Sequence, residues 1–247
     1  MKKILFVALA MAMFAGNANA LENEPEEGFT YMGLFGMNVS KIQNLQLPVA
    51  PFDSYNAKAG AMMGARVDYV LPKAHGTYLT AGLDWTMKGA KVTVDDAFMD
   101  EDATSKYALH YFEIPIRVGF RYNIIEELGV YGELGPYFAI GVGGKHRLSI
   151  DEDGYEVNQV EEAGTYKAFK NNTDIDRPTF QRWDAGIGFR IGAEYNHHYN
   201  LMFGCDWGLA DMYRDNLRDA YFQSTGGTLR LPKVKNFNFS ITFGYRF

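Results

Sequence analysis

Fourteen ionisable side chains fall at alternate positions inside stretches that are otherwise apolar or small: Arg66, Asp68, Asp84, Lys88, Glu113, Arg117, Arg121, Glu133, Arg182, Asp184, Arg190, Glu194, Asp206 and Arg246. The chemistry open to such a set is ion pairing. Seven acids and seven bases that share one interior must neutralise one another or stay solvated, because an unpaired ion taken out of water is costly. The even count favours pairing over an open aqueous path. Other chemistry finds little support. The five histidines, His75, His110, His146, His197 and His198, are scattered, whereas a metal site or a catalytic triad needs groups that converge on one point. No Gly-rich phosphate loop occurs, no cofactor is implied, and the chain is read as not an enzyme. Asp151, Asp153 and Glu156 place hard oxygen ligands around Gly154, as Ca²⁺ accepts. That run lacks the ordered spacing of an EF-hand, and a solvated β-turn is its plainer reading. The single cysteine, Cys205, reads as a small lipid-facing hydrophobe.

Charges that alternate with apolar residues must be held by strands, whose side chains point to opposite faces with period two. Residues 237–247 give the pattern in its simplest form. Phe237, Phe239, Ile241, Phe243, Tyr245 and Phe247 make one face, and Asn238, Ser240, Thr242, Gly244 and Arg246 the other. Six large apolar groups from every strand would overfill the inside of a small barrel, so the apolar face is assigned to lipid. The same alternation predicts eight strands at 28–40, 58–71, 77–90, 107–122, 129–145, 180–195, 199–210 and 236–247. The connections alternate between long (41–57, 91–106, 146–179, 211–235) and short (72–76, 123–128, 196–198). Short periplasmic turns, long extracellular loops and an even strand count mark an outer-membrane barrel. The predicted fold is all-β: an eight-stranded antiparallel up-and-down transmembrane β-barrel with four long extracellular loops, three short periplasmic turns and both termini periplasmic. Aromatics support it. Tyr69, Tyr78, Tyr122, Tyr195, Tyr199, Tyr245 and Phe247 are expected outward near the short turns. Trp85, Phe112, Trp183, Trp207 and Phe237 form a second girdle about 10 residues away, the length a tilted strand needs to cross the hydrocarbon. A barrel of eight strands has an interior that side chains fill, so the predicted lumen is plugged.

Export is written at the N-terminus: Lys2 and Lys3, an apolar run from Ile4 to Phe14, then Ala18-Asn19-Ala20 as a cleavage site. The expected organisation is a signal peptide at 1–20, a short periplasmic segment at 21–27 and a barrel over 28–247. Past residue 20 the chain has 22 basic and 30 acidic residues, a net charge of −8, which makes nucleic acid a poor partner. One cysteine also rules out an intramolecular disulfide, so the fold must close on hydrogen bonds and packing.

Three stretches carry a family resemblance: Gly82-Leu-Asp-Trp-Thr-Met-Lys-Gly-Ala-Lys91, Tyr111-Phe-Glu-Ile-Pro-Ile116 and Phe243-Gly-Tyr-Arg-Phe247. With the Gly33 to Ser40 opening, they resemble the PorT-like small outer-membrane β-barrels of Bacteroidetes-type bacteria. The sequence departs from that pattern at Gly82, where family members often place Glu; here the inward acid is Asp84. The resemblance implies no catalytic residues. Phe247 resembles the C-terminal aromatic by which barrel-insertion machinery recognises its substrates. The expected partners are outer-membrane lipid and lipopolysaccharide, the insertion machinery, and an unknown extracellular or secretion partner. The expected function is a structural or interaction (adhesion or binding) barrel acting through its loops. A narrow, porin-like pore or a secretion accessory is the alternative, and a lipid-modifying enzyme or protease a more distant one.

Overall fold

The computed structural model describes residues 27–44, 54–96, 101–152, 155–157, 164–169 and 180–247. The predicted signal peptide at 1–20 and all but the last residue of the 21–27 segment lie outside them. Among the described residues the strands are β1 (Gly28–Gln43), β2 (Ser54–Val70), β3 (Thr77–Asp96), β4 (Glu101–Ile125), β5 (Leu128–Glu152), β6 (Tyr155–Val157), β7 (Gly164–Lys167), β8 (Trp183–Tyr195), β9 (Tyr199–Gly208) and β10 (Lys235–Arg246), and the helix is α1 (Asp215–Ser224). β1 to β5 and β8 to β10 pair antiparallel, each with its neighbour, and the pairings of β4 with β5 and of β1 with β10 close the ring. The result is a closed eight-stranded antiparallel barrel. Closure removes both edges, so every strand of the ring finds hydrogen-bond partners on its two sides, while β6 and β7 add to β5 above it.

Period two sorts the side chains. Phe35, Met37, Leu83, Phe112, Ile114, Ile116, Phe138, Ile191 and Phe243 stand exposed on the outside, where an aqueous surface would not tolerate so continuous an apolar band. All three short turns lie at one end, the end that also carries β1's start and β10's finish. They are 71–76, 126–127 and 196–198, and Lys73, His75, Asn196 and His197 take positive φ there to turn the chain tightly.

Four expectations are corrected. First, the connections predicted at 91–106 and at the start of 146–179 are largely strand. β3 stays paired with β4 to Asp96 and Glu101, and β4 with β5 to Glu101 and Glu152. Charged residues there mimic a loop, but a ladder above the lipid accepts charge on a solvated face. Second, the predicted loop 211–235 contains α1. Third, Tyr78 is fully buried and faces inward, not outward, because it shares the even parity of Thr80, Asp84 and Lys88. Fourth, Arg182 is exposed and outside the lumen. The chain bends before β8 begins at Trp183, and Arg182 donates to the Gly141 carbonyl (2.7 Å) with its guanidinium over the Phe169 ring instead of joining the lumen charges.

Candidate functional site

Thirteen of the fourteen charges, all but Arg182, are buried inside the ring. They come from β2 to β5 and β8 to β10. β1 adds none: its inward residues include Met32, Leu34, Gly36, Asn38, Ser40 and Ile42, and Met32 and Leu34 pack with Met62 and Met202 to pad one side of the lumen with flexible filler.

The charges lie in three layers. Nearest the short turns, Arg246 bridges Asp68 (3.0 Å) and Glu194 (2.9 Å), and Arg121 faces the same two carboxylates at 3.4 and 3.9 Å. The Arg121 guanidinium also lies over the Tyr78 ring, 5.0 Å from its centroid. Two acids and two bases close this ring without residual charge.

The middle layer is an alternating chain. Asp84 meets Arg66 at 3.2 Å, Arg66 meets Glu133 at 3.4 Å, Glu133 lies 3.9 Å from Arg117, and Arg117 lies 3.8 Å from Asp206. Arg190 closes the chain with a two-pronged pair to Asp206, both bonds 2.8 Å. Glu133 also accepts from the Tyr78 hydroxyl at 2.9 Å. Glu133 and Arg190 are direct cross-strand partners, yet Arg190 turns to the Asp206 side. A Cβ at Gly204 would overlap the Arg190 side chain, so the glycine makes the space for that turn. Arg66, from across the barrel, takes the place beside Glu133 that register alone would give to Arg190.

The top layer holds one cation and two acids. Lys88 pairs with Glu113 and lies 3.4 Å from Asp184, which also accepts from Asn236 at 2.8 Å. The ammonium sits over the Tyr137 ring, 4.6 Å from its centroid.

Above Lys88 the interior turns apolar. Tyr107, Leu109, Tyr111 and Tyr137 from the barrel wall pack with Phe169, Phe180, Met212, Tyr213, Leu217, Leu231 and Val234 from the connections. Arg218 ties this cap shut by donating to the Leu231 and Pro232 carbonyls and pairing with Asp211 at 2.5 Å. Arg214 donates to the carbonyls of Phe180 and Phe169. His146 stacks on Tyr107 at the wall, and burial pushes its imidazole down to about 4, so it is neutral at pH 7. Sequence reasoning missed this cap and the lumen's Tyr78, Tyr137, Asn38 and Asn236. The spacing of Leu217 and Tyr221, four residues apart on one face of α1, was the available signal.

The remaining candidates do not converge. His110 stacks on Trp85 on the outside, His198 contacts the Arg246 carbonyl through Nδ1, and His75 lies in a turn. Among the described residues no group of three or more His, Cys, Asp or Glu is placed to hold a metal ion. Asp151 and Glu156 are cross-strand partners in the β5–β6 hairpin, and Asp153 lies outside the described residues. Phe247 is exposed, its backbone N–H donating to the Tyr31 carbonyl.

A closed ring of strands with an apolar outside and paired charges within defines a transmembrane β-barrel. The chain belongs to the family described as outer membrane protein beta-barrel domain, whose model matches residues 17–214. Among solved structures it is similar to Ail, the attachment invasion locus protein of Yersinia pestis, at 14% identity and a TM-score of 0.37, covering 90% of this chain and 100% of that one. It is also similar to Neisserial surface protein A, at 12% identity and a TM-score of 0.40 over 90% and 100%. OprG of Pseudomonas aeruginosa follows at 11% identity and 0.42 over 90% and 97%. No curated protein matches the chain.

Proposed function

We propose that this chain is a non-enzymatic outer-membrane interaction barrel of the PorT-like kind, exported by residues 1–20, with both termini of the barrel periplasmic and its capped end outside the cell. Its Phe247 side chain serves as a contact for the insertion machinery during biogenesis. One observation carries the reading: the lumen is closed twice in series, by charge pairs that fill its width and by an aromatic cap built from the connections. A solute path would have to break both. Long connections on a rigid scaffold are where recognition residues usually sit, and here they are invested in a folded cap and a raised wall. The partner is an extracellular molecule or a component of secretion.

Two measurements test this together. In planar bilayers the intact barrel is expected to give no conductance steps, and a cap-free variant lacking residues 212–231 is expected to give none either, because the charge layers remain. Whole cells displaying the barrel are expected to bind a surface partner that the cap-free variant loses. Regular conductance steps from the intact barrel would overturn the reading in favour of a narrow pore.

A further inference from the structure

Two neighbouring strands carry a proline in their membrane-spanning part, Pro115 on β4 and Pro136 on β5. A proline nitrogen has no hydrogen to donate, so within a sheet it removes a ladder bond and is normally confined to edges and bulges. A closed barrel has no edge to offer it. β3 and β4 pair at Ala81 with Ile116 and at Asp84 with Glu113, which leaves Gly82 and Leu83 opposite Pro115 and Ile114 without pairing. β4 and β5 pair at Pro115 with Tyr137 and at Val118 with Leu134, which leaves Ile116 and Arg117 opposite Pro136 and Gly135 without pairing. The register is the same on either side of each gap, so neither is a bulge.

Both flanks of β4 are therefore open within one short stretch, residues 114–117. The pairings of β1 with β2 and β10, of β8 with β5 and β9, and of β9 with β10 run without a skipped pair. Ile114 and Ile116 are exposed between the girdle aromatics Phe112 and Tyr122, a depth at which no water replaces a missing backbone bond. Local opening is easiest where a chain is held by the fewest such bonds.

The lumen side of the stretch is loosely held as well. Arg66 hydrogen-bonds Asp84, Lys88 bonds Asp184, Arg121 and Arg246 bond Asp68, and Arg190 bonds Asp206. Arg117 reaches Glu133 and Asp206 only at 3.9 and 3.8 Å, beyond hydrogen-bond length, and its Nε and Nη1 are buried without a hydrogen-bond partner. Those two carboxylates are engaged elsewhere, Glu133 by Arg66 and Tyr78, Asp206 by Arg190 and Asn238. The least-bonded wall and the least-bonded lumen cation coincide.

We propose that residues 114–117 of β4 are the moving part of this barrel: the wall loosens there on both flanks and lets Arg117 swing away from Glu133 and Asp206, parting the middle charge layer. The proposal deepens the reading of a lumen closed by charge and takes its consequence from it. Its test reads motion and not conductance, so conductance steps from the intact barrel would remove that reading and leave the motion standing.

The whole barrel, folded in lipid bicelles, is followed by amide hydrogen exchange using NMR and by modification of its arginines with phenylglyoxal, mapped by mass spectrometry. The Gly82 and Ile116 amides are expected to exchange at least tenfold faster than those of Phe203 and Ile241, which sit in unbroken ladders. Arg117 is expected to react at least tenfold faster than Arg66 and Arg190, bases of the same layer that are equally buried. The double variant Pro115→Val, Pro136→Val supplies the two missing donors, and heat-modifiable migration establishes that it is folded. Both differences are expected to shrink in it to threefold or less. Equal reactivity of the three arginines in the parent would overturn the proposal whether or not the variant folds, as would exchange at Gly82 and Ile116 as slow as at Phe203 and Ile241. Rapid modification of Arg117 that persists in the folded double variant would also overturn it, because the arginine would then move without the wall.

Discussion

Replacing Glu133 with alanine tests the lumen most directly. Its carboxylate is the middle acid of the chain Asp84–Arg66–Glu133–Arg117–Asp206–Arg190, and it also accepts from the Tyr78 hydroxyl. Without it, three guanidiniums share two carboxylates in a space from which water is largely excluded. Arg66 keeps Asp84 at 3.2 Å, but Arg117 is left with Asp206 at 3.8 Å, an acid already engaged by Arg190. Breaking a buried network by deleting one partner costs on the order of 3 to 5 kcal/mol. At about 1.4 kcal/mol per factor of ten, that lowers the ratio of folded to unfolded barrel by roughly two to nearly four decades. Urea unfolding in lipid vesicles, read by the heat-modifiable gel shift, measures it. Glu126→Ala, which removes a carboxylate from an exposed turn, is expected to change stability by no more than about 0.5 kcal/mol. Glu133→Gln keeps the shape and an acceptor for Tyr78 and is expected to fall between the two. If Glu133→Ala and Glu126→Ala unfold at the same urea concentration, Glu133 does not hold the two arginines together and the layered account of the lumen fails.

Gly204→Ala is expected to push Arg190 off Asp206, destabilising the barrel by about 1 to 3 kcal/mol as overpacking does; an unchanged urea midpoint would mean the glycine is not there to admit the arginine. Leu217→Ala should cost about 2 to 5 kcal/mol in the cap, raising hydrogen exchange across residues 212–234 while exchange in β8 and β9 stays slow. His146 has its pKa lowered to about 4 by burial, so its folded form binds fewer protons than the unfolded chain. Its contribution is therefore present above about pH 6.5 and is lost as pH falls toward 4. Exchange near Tyr107 should accelerate over that window in the parent and stay flat in His146→Gln. Cysteine at Gln223, in a Cys205→Ala background, should react with a membrane-impermeant reagent on whole cells while cysteine at Asn196 does not; the reverse order would invert the barrel.

Period-two alternation was enough to find the barrel. It sorted Phe239, Ile241 and Phe243 from Ser240 and Thr242, named thirteen lumen charges, and set the sense of the short and long ends, because facing is a property of each residue's parity along its own strand. Parity is local, so one displaced position misleads: Tyr78 was placed with the wrong set, and Arg182 was counted inward although the chain bends just before its strand begins. What the tertiary structure alone decided is which charge meets which. Arg66 reaches Glu133 across the lumen, and Arg190 turns aside to Asp206 over Gly204, because side chains of this length span several neighbours and choose among them only when all eight strands are in register. The cap followed the same logic. Charge in the connections hides both the extended wall and the burial of Tyr213 and Leu217, since their burial depends on Tyr107 and Tyr111, more than a hundred residues away, whose faces exist only after the ring has closed.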